Sequence, residues 1–503
     1  MRILSLLSFL LLSLGGVTAS EPDRPNIILL MGDDHGWEET GYNGHPYVKT
    51  PVLDEMAKTG LRLDRFYSGH PSCSPTRGSV MTGRHPNRYG TFAPGWSLRP
   101  EEITIAKLLH DHGYVCGHFG KWHLGAVKAG SPVNPGAMGF DTWVSHDNFF
   151  ELNPYLSRDG AAPERFEGES SAIVIEEARK FIDRSKGDGK PFFAVVWFGS
   201  PHEPYSGLPE DLALYDDLPA KYADRKARLT SNETGLQVER PKGEVLRERY
   251  AEITAMDRSI GMLRDYLKAE GLRDNTLVWY CGDNGTDSPG QLDPPFRGVK
   301  GQMYEGGIRV PGLIEWPARI PAPRVSRVNA VTSDILPTLC GVARVPLPDR
   351  PLDGISLAPV FDGFLASRPT PIFFWSFNPR KGSKGDGVVP WIDPVLQQGT
   401  TPLVKLSGGK ATRDFLNVRY STIEEGDYTG ARVILDGSLK LVVHDKRGAS
   451  DASKRELFDL DADPLEKHDL SQDKPEVAKE MAERLRAWQD SVLKSLTGAD
   501  YGS

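Results

Sequence analysis

The stretch Pro25-Asn26-Ile27-Ile28-Leu29-Leu30-Met31-Gly32-Asp33-Asp34 decides the fold. Its unbroken apolar run is typical of a strand that is buried on both faces of a parallel sheet. Two adjacent carboxylates follow the strand at once, and they repel each other unless a cation holds them. A solvated turn is the alternative interpretation of such a pair. Because open α/β sheets bind ligands at the carboxyl ends of their strands, we treat Asp33 and Asp34 as candidate metal ligands.

Three later strand-like runs also end in residues that can do chemistry. Residues 114–120 lead into Lys121 and His123, residues 191–198 lead towards His202, and residues 277–281 lead through a glycine into Asp283 and Asn284. In a parallel sheet the carboxyl ends of the strands share one edge, so we expect these side chains to converge there.

The segment His70-Pro71-Ser72-Cys73-Ser74-Pro75-Thr76-Arg77-Gly78-Ser79 supplies a candidate nucleophile. Ser72 or Ser74 can cap a helix whose first turn carries Pro75. Cys73 would then lie at the positive end of that helix, with Arg77 four residues later on the same face. Such a helix N-terminus binds anions. The alternative is a buried cysteine beside a surface arginine.

The composition is that of an ordinary globular protein. The chain has 503 residues, of which 39% are hydrophobic and 25% charged, and these shares are typical of globular domains. Its net charge is −8 and its isoelectric point about 5.9, so nothing indicates a nucleic-acid partner. Four cysteines are too few for a disulfide framework in an exported protein of this length.

The N-terminus predicts export. Arg2 precedes an apolar run over residues 3–14, and small residues follow up to Ala19. This pattern is typical of a signal peptide over residues 1–19, cleaved near Ala19, which places the mature protein in the periplasm or outside the cell. The run is short for a membrane span and no cysteine lies near the cleavage point, so we expect no stable membrane anchor. An uncleaved anchor is the alternative.

The order of elements predicts an α/β fold with two parts. Residues 20–368 alternate strands and helices, which indicates a catalytic domain built on a large, mostly parallel sheet sandwiched by helices. Residues 369–503 predict a smaller C-terminal α+β subdomain with an antiparallel sheet and a helix. Its strand signals are at 371–376, 417–422, 432–436 and 439–444, Asp436-Gly437 is a hairpin turn, and the helix covers 476–496. Residues 61–67 predict one short strand, 130–167 a long loop, 205–243 an irregular segment and 379–412 a surface loop.

The converging residues are suited to chemistry on a tetrahedral oxyanion ester. Three carboxylates and an amide oxygen are hard ligands that suit Ca²⁺, or Mg²⁺ with more retained water, whereas zinc favours histidine and cysteine. Two histidines can act as general acid and base. Arg77, Lys121 and Lys300, the last within Gly298-Val299-Lys300-Gly301, can neutralise an oxyanion. The residues alone leave sulfate and phosphate esters open.

The assembled motifs resemble those of the type I sulfatases of the alkaline phosphatase superfamily, such as the arylsulfatases. The matching motifs, in the family's order, are Met31-Gly32-Asp33-Asp34, Cys73-Ser74-Pro75-Thr76-Arg77-Gly78, Gly120-Lys121-Trp122-His123-Leu124-Gly125, Pro201-His202 and Gly282-Asp283-Asn284-Gly285. The C-terminal Glu456-Leu457-Phe458-Asp459-Leu460, followed by Asp463-Pro464, also resembles the family's tail.

The resemblance implies a role for each residue. Cys73 would be oxidised to formylglycine by a maturation enzyme, and the hydrate of that aldehyde would take up the sulfate and then release it. Ca²⁺ would be held by Asp33, Asp34, Asp283, Asn284 and residue 73. Arg77 and Lys121 would steady the formylglycine, and His123 would act as its base. His202 and Lys300 would protonate the leaving oxygen, and Ser145 would contact the sulfate.

Two other functions stay open at this point. One is a phosphonate or phosphate ester hydrolase of the same superfamily, and the other is a secreted carbohydrate-binding homologue without catalysis. We expect a sulfated polysaccharide or its oligosaccharides as substrate, recognised by the loops at 143–167, 203–243 and 379–412. The candidate contacts in these loops are Phe149, Phe150, Tyr155, Tyr205, Arg380, Lys381 and Trp391.

Overall fold

The computed structural model describes residues 24–187, 189–231, 236–293, 295–379, 389–402, 414–445 and 454–502. In chain order the strands are β1 (Asn26–Gly32), β2 (Leu61–Leu63), β3 (Phe66–Tyr67), β4 (Val115–Lys121), β5 (Thr142–His146), β6 (Tyr155–Arg158), β7 (Glu164–Arg165), β8 (Phe192–Trp197), β9 (Lys226–Thr230), β10 (Gln237–Pro241), β11 (Thr276–Gly282), β12 (Gly312–Glu315), β13 (Arg324–Ser326), β14 (Ala330–Val331), β15 (Ile372–Trp375), β16 (Arg432–Asp436), β17 (Leu439–His444) and β18 (Lys454–Asp459).

The α-helices are α1 (Pro51–Thr59), α2 (Cys73–Thr82), α3 (Ile105–Asp111), α4 (Ser170–Gly187), α5 (Pro209–Ala213), α6 (Lys242–Ala269), α7 (Glu305–Ile308), α8 (Ile335–Ala343), α9 (Ala358–Phe361) and α10 (Pro475–Leu496). Short 3₁₀ helices lie at Gly41–Asn43, Pro86–Arg88, Ala220–Tyr222, Thr332–Asp334, Pro394–Gln397 and Glu425–Tyr428.

One large sheet forms the centre of the molecule. Its strand order is β13-β2-β12-β11-β1-β8-β4-β5-β6-β7. The five central strands, β11-β1-β8-β4-β5, are parallel, whereas β12 and β6 join their neighbours in antiparallel fashion. The predicted fold class, a mostly parallel sheet within an α/β domain, is therefore confirmed.

Helices cover both faces of this sheet because the central strands are apolar on both sides. Ile27, Leu29 and Met31 of β1 pack in one core with α2, α3 and α8. Ile28 and Leu30 point the opposite way, into a second core with α1, α4 and α6. The alternation follows from the two-residue period of a strand.

A second sheet of four antiparallel strands, β15-β16-β17-β18, forms the C-terminal part. Gly437, at φ 59, makes the predicted turn between β16 and β17. The helix α10 packs on this sheet through residues that include Trp488 and Leu485. The sheet begins at Ile372, while the exact domain boundary at 368 stays a prediction.

Several local expectations were wrong. The segment 417–422 is not a strand: Leu416, just before it, makes a single bridge to Trp96, and residues 417–422 then run irregularly. Its alternating apolar residues pack on Trp96 and α10 without a partner strand. The strand β18 was missed because its first residues, Lys454 to Glu456, are charged.

The segments expected to be loops also contain strands. Residues 130–167 hold β5, β6 and β7, because β5 pairs with β4 on one side and with β6 on the other despite its short apolar run. Residues 205–243 hold α5 and the hairpin β9-β10. The single strand expected at 61–67 is divided into β2 and β3, which pair in different sheets.

The four cysteines are buried and unpaired, in keeping with the absence of a disulfide framework in the sequence. Among the described residues, no helix is both long and apolar enough to cross a membrane. The expected signal peptide at residues 1–19 lies outside the described part of the chain.

Candidate active site

The carboxyl ends of the central strands bring the first carboxylates together. Gly32 of β1 lies opposite Gly282 of β11, so Asp33 and Asp283 leave the sheet side by side. The hydrogen-bond ladder continues past the strands: the Asp33 N–H donates to the carbonyl of Ser200 at 2.9 Å, and the Asp283 N–H donates to that of Gly32 at 3.1 Å. These hydrogen bonds fix the backbone positions from which the side chains of Asp33 and Asp283 extend.

Asp34 takes a left-handed conformation, with φ 63. For a residue other than glycine this conformation costs about 1–2 kcal/mol. Two neighbours hold it: the Asp34 N–H donates to Asp283 Oδ1 at 2.9 Å, and Asn284 Nδ2 donates to Asp34 Oδ1 at 2.8 Å. The two strand ends are therefore joined by side chains as well as by the sheet.

The helix α2 places Cys73 at its first position. Ser72 precedes it in extended conformation, and Gly83 ends the helix at φ 68. Every residue of α2 is buried, and the Cys73 Sγ lies 3.8 Å from Asp34 Oδ1. The candidate nucleophile thus stands at the positive end of a helix, inside the protein, beside a candidate metal ligand.

The guanidinium of Arg77, one turn beyond Cys73 on α2, joins three segments of the site. Its Nη2 and Nε donate to Asp283 Oδ2 at 2.8 and 3.2 Å, and its Nη1 donates to the carbonyl of Lys121 at 3.2 Å. The Nη2 is also 3.4 Å from Asp33 Oδ1. The whole side chain is buried.

Two lysines pair with the first two carboxylates. Lys121, at the end of β4, donates from Nζ to Asp33 Oδ2 at 2.6 Å, and Lys300 donates to Asp34 Oδ2 at the same distance. The Nε2 of His202 is 3.2 Å from the Lys300 Nζ and 3.7 Å from Asp34 Oδ2. His202 and Lys300 therefore form an adjacent pair at one side of the cluster.

The two histidines are held neutral. His123 lies two residues beyond β4 at φ 55, and its Nδ1 is buried without a hydrogen-bond partner among the described residues. Burial lowers the pKa of His123 well below its usual range, and the charges of Lys121 and Arg77 lower it further. Burial and the charge of Lys300 lower the pKa of His202 to about 3. Both imidazoles can therefore accept a proton or a hydrogen bond at neutral pH.

The acidic groups differ in their pKa. Burial would raise the pKa of Asp34, but Lys300 and His202 hold it below its usual range. Burial, together with the charge of Asp33, raises the pKa of Asp283 to about 6. Burial raises the pKa of the Cys73 thiol as well, so this sulfur is protonated at neutral pH.

The cluster fits a divalent cation. Asp33, Asp34, Cys73 and His202 each offer a candidate ligand atom, and these atoms lie within 4.8 Å of one another. Asp33 Oδ1 and Asn284 Oδ1 are buried and accept no hydrogen bond from a described residue. Unsatisfied carboxylate and amide oxygens of this kind suit a hard cation.

Ser145 has a partner outside the cluster. It lies on β5 opposite Gly120, and its hydroxyl is 2.8 Å from Nδ1 of His118 within the sheet. The predicted contact between Ser145 and the sulfate therefore stays a prediction.

Two aromatic rings lie against the histidines. Phe149 stacks on His202, with ring centroids 4.3 Å apart and planes at 14°. Phe415 lies against His123, at 6.2 Å between centroids. Phe149 was among the loop aromatics expected near the substrate, whereas Phe415 was missed, because a lone aromatic in a C-terminal loop carries no sequence signal.

The other candidate substrate contacts have structural partners or are not described. The hydroxyl of the buried Tyr205 donates to Asp287, and Trp391 stacks on the guanidinium of Arg99 at 3.8 Å. Phe150 is buried, Tyr155 is half-buried, and Arg380 and Lys381 lie outside the described residues.

Fold and site together define a class of enzyme. A doubly covered α/β sheet gathers carboxylates, fixed cations and neutral histidines around a residue at a helix N-terminus, as hydrolysis of an oxyanion ester requires. The sulfatase family model matches residues 25–345. The chain belongs to the sulfatase family, as a type I sulfatase of the alkaline phosphatase superfamily, and these proteins are sulfuric ester hydrolases.

Individual relatives agree with this assignment. An ulvan-active sulfatase from Formosa agariphila is 33% identical over 65% of this chain, and the match spans 63% of that protein, which is less than two thirds of its length. Human arylsulfatase A is 32% identical over 74% of each chain. Among solved structures, Ps i-CgsB in complex with k-i-k-neocarrahexaose superposes with a TM-score of 0.71 at 23% identity, over 93% of each chain.

Proposed function

We propose that this protein is exported and hydrolyses the sulfate ester of a sulfated saccharide by means of a formylglycine made from Cys73. The observation that carries the proposal is the convergence of Cys73, Arg77, Lys121, His202 and Lys300 on one carboxylate cluster. These residues were singled out from four separate sequence segments, with Cys73 and Arg77 sharing one motif, and the fold brings each of them into contact with the carboxylates.

The cations match the charge of a sulfate group. A sulfate at the N-terminus of α2 would meet the positive end of the helix and the ammonium groups of Lys121 and Lys300. Arg77 is held in place by Asp283, so it contributes a fixed charge that needs no rearrangement during the reaction.

His202 and Lys300 would serve the leaving oxygen. Their nitrogens lie 3.2 Å apart, at the side of the cluster where both side chains keep some exposure to solvent. Asp34 raises the pKa of Lys300 well above its usual range, against the effect of burial, so Lys300 carries the proton and His202 relays or orients it.

The metal would be held by Asp33, Asp34, Asp283 and Asn284, with residue 73 completing the set. Ca²⁺ is favoured over Mg²⁺ because the site offers three carboxylates and an amide oxygen, whereas Mg²⁺ usually binds one or two carboxylates and keeps several waters. A bound cation of this kind polarises the sulfate oxygens.

Residue 73 is better suited to be a precursor than a thiolate nucleophile. Cysteine nucleophiles react as thiolates, whereas burial keeps the Cys73 thiol protonated. As hydrated formylglycine, the residue would attack sulfur with one hydroxyl, which loses its proton. The bond between sulfur and the ester oxygen would break, and the alcohol would leave with a proton from the pair of His202 and Lys300. His123 would take the proton of the second hydroxyl, and the sulfate would then be expelled with return of the aldehyde. This chemistry requires a formylglycine-generating maturation enzyme as partner.

A sulfated saccharide is the proposed substrate class. Two similar proteins support this class by their names: one is an ulvan-active sulfatase, and the other is Ps i-CgsB in complex with k-i-k-neocarrahexaose. Phe149, which stacks on His202, offers an aromatic face beside the position of the leaving alcohol. A screen of defined sulfated saccharides would identify the ring and the position of the sulfate.

Turnover of an aryl sulfate and of the matching aryl phosphonate tests the proposed reaction. We expect the value of kcat/KM to be higher for the sulfate, and we expect Cys73→Ala to abolish turnover while the protein stays folded. A clear preference for the phosphonate, or activity retained by Cys73→Ala, would contradict the proposal. Export is tested separately by the mass of the secreted protein, which should lack residues 1–19.

A further inference from the structure

We propose that Arg249 is a positioning residue that fixes the backbone on which Asp34 and His202 stand and thereby sets the affinity of the site for its metal. The inference rests on the proposed function, because it assumes that the carboxylate cluster holds a divalent cation. Neither a catalytic motif nor the sequence pattern singled out Arg249, which lies within the long helix α6.

The guanidinium of Arg249 bonds two backbone carbonyls of the site. Its side chain is fully buried. Nη2 donates to the carbonyl of Asp34 at 2.6 Å, and Nη1 donates to the carbonyl of Pro201 at 2.6 Å. Asp34 is the candidate ligand with a left-handed backbone, and Pro201 directly precedes His202. One side chain therefore holds both segments at the carbonyls next to the functional groups.

The carboxylate of Glu39, in the segment that follows β1, fixes this guanidinium in turn. Arg249 Nε and Nη2 donate to the two carboxylate oxygens of Glu39, each at 2.6 Å. Thr286, two residues after Asn284, donates from its hydroxyl to Glu39 Oε2 at 3.0 Å. We call Arg249 and Glu39 together the clamp. Through Thr286 the clamp also reaches the end of β11, which carries the candidate ligands Asp283 and Asn284.

The second N–H group of Arg249 Nη1 faces Tyr205 and a second acidic residue, Asp287. Nη1 lies 3.2 Å from the hydroxyl of Tyr205 and 3.4 Å from Asp287 Oδ1. The same Tyr205 hydroxyl donates to Asp287. All three nitrogens of the guanidinium are therefore engaged, and its plane cannot turn without breaking several bonds.

This geometry indicates that Arg249 positions the candidate ligand Asp34 and does not merely stabilise the fold. The described side chains that Arg249 contacts through its nitrogens, those of Glu39, Tyr205 and Asp287, are not proposed metal ligands. Arg249 also holds the carbonyl of Asp34, a residue in the left-handed conformation. Lysine keeps the charge but lacks the planar fork of donors. Loss of partners that orient metal ligands typically weakens metal binding by about 10- to 100-fold.

Arg264 provides a matched control on the same helix. Its Nε and Nη2 donate to the two oxygens of Glu315 at 2.8 and 2.9 Å, so it makes a comparable bidentate pair. Glu315 lies in β12, away from the carboxylate cluster. The variants Arg249→Lys and Arg264→Lys therefore each disrupt a bidentate pair with a glutamate, but only Arg249→Lys also disrupts bonds to backbone carbonyls of the site.

The test is calorimetric titration of Ca²⁺, and separately of Mg²⁺, into chelator-treated wild-type protein and both variants. We expect Arg249→Lys to bind the preferred cation about 10- to 100-fold more weakly than wild type. Arg264→Lys should bind this cation with wild-type affinity, even if its thermal unfolding midpoint falls as far as that of Arg249→Lys. If Arg249→Lys does not fold, Glu39→Gln replaces it, with a weakening in the same direction.

The outcomes separate the clamp from the proposed function. Wild-type affinity in a folded Arg249→Lys or Glu39→Gln variant would overturn the positioning role and leave the metal site standing. Equal weakening in Arg264→Lys would also overturn it, because the effect would then be general. Wild-type protein that binds neither cation would overturn the metal site itself and the clamp with it.

Discussion

Each carboxylate of the site already has a cationic partner within the protein. Lys121 bonds Asp33, Lys300 bonds Asp34, and Arg77 bonds Asp283. A metal and a sulfate arriving together would take over these roles, because the metal binds the carboxylates while the sulfate meets the lysines. Binding then exchanges ion pairs and leaves no buried charge unpaired, which would otherwise be costly.

The role of His202 leads to a prediction about leaving groups. His202→Asn should lower kcat for a sulfate ester of a simple alcohol by about 10²- to 10⁴-fold, because the leaving oxygen is no longer protonated by a general acid. For an activated aryl sulfate the loss should be smaller, since a phenolate of low basicity leaves without protonation. Steady-state kinetics on both esters measure the difference.

An exposed histidine serves as control for that variant. His468 lies on the surface, far along the chain in the C-terminal part, so His468→Asn should leave both rates unchanged. An equal loss on both esters in His202→Asn would contradict the assignment of His202 to the leaving group.

At the scale of the element, α2 is shaped by close packing rather than by helix propensity. It contains Pro75 and Gly78, and it is buried along its whole length. A Cβ added at Gly78 would lie 2.5 Å from the hydroxyl of Tyr89 and 3.2 Å from its ring. The glycine therefore lets the helix that carries Cys73 approach its neighbour closely.

Gly78→Ala is expected to destabilise the protein by about 1–2 kcal/mol, although alanine is the better helix former by about 1 kcal/mol. Tyr89→Phe in the same protein should recover part of the loss, because it removes the atom that the new methyl group meets. Thermal unfolding of the single and double variants measures this.

Gly341 on α8 is the control for that substitution. Outside the helix itself, the one described atom within 4 Å of a Cβ there is Ser356 Oγ, at 3.5 Å. Gly341→Ala should be neutral or stabilising by up to about 1 kcal/mol. If Gly78→Ala behaved in the same way, the account of α2 packing would be wrong.

At the scale of the whole molecule, Asp353 ties the C-terminal helix α10 to the part of the chain that contains the large sheet. Its carboxylate accepts two bonds from Arg88, at 2.7 and 2.9 Å, one from the backbone N–H of His85 at 2.6 Å, and one from Trp488 Nε1 of α10 at 2.8 Å. Burial would raise the pKa of Asp353, but Arg88 holds it below its usual range.

Asp353→Asn should therefore lower the free energy of unfolding by about 3 kcal/mol at pH 7, since it leaves Arg88 without its partner. A carboxyl whose pKa is depressed on folding stabilises above its unfolded pKa of about 4 and loses this contribution as the pH falls further. The difference in the free energy of unfolding between wild type and Asp353→Asn should therefore become smaller below pH 4. Denaturant unfolding at pH 7 and at pH 3.5 measures this difference.

The pair of Asp362 and Arg319 provides the comparison. It has similar bidentate geometry, at 2.7 and 2.9 Å, but both side chains are about 30% exposed. Asp362→Asn should cost less than about 1 kcal/mol. A loss equal to that of Asp353→Asn would show that burial does not set the strength of these pairs.

The sequence was most informative where a residue follows a buried strand. The apolar runs before Asp33, Lys121 and Asp283 predicted both the parallel sheet and the edge at which these side chains meet. Spacing within α2 likewise predicted that Arg77 would face the site with Cys73, because helix geometry relates residues four apart.

What the sequence could not predict depends on contacts between distant segments. Phe415 reaches His123 from a loop, and Arg249 reaches the Asp34 carbonyl from the first third of the long helix α6. An arginine in such a helix is ordinarily a surface residue. The strand β18 was missed for a related reason, since pairing with β17 overrides the low strand propensity of its charged residues.

The central claim is that residue 73 works as formylglycine, and the mass of the tryptic peptide covering residues 66–77 tests it most directly. In a preparation shown to hydrolyse an aryl sulfate, from a host with the maturation enzyme, this peptide should be about 18 Da lighter than the cysteine form, which is the mass change from cysteine to formylglycine. A fully active preparation in which the peptide carries only unmodified cysteine would contradict the account.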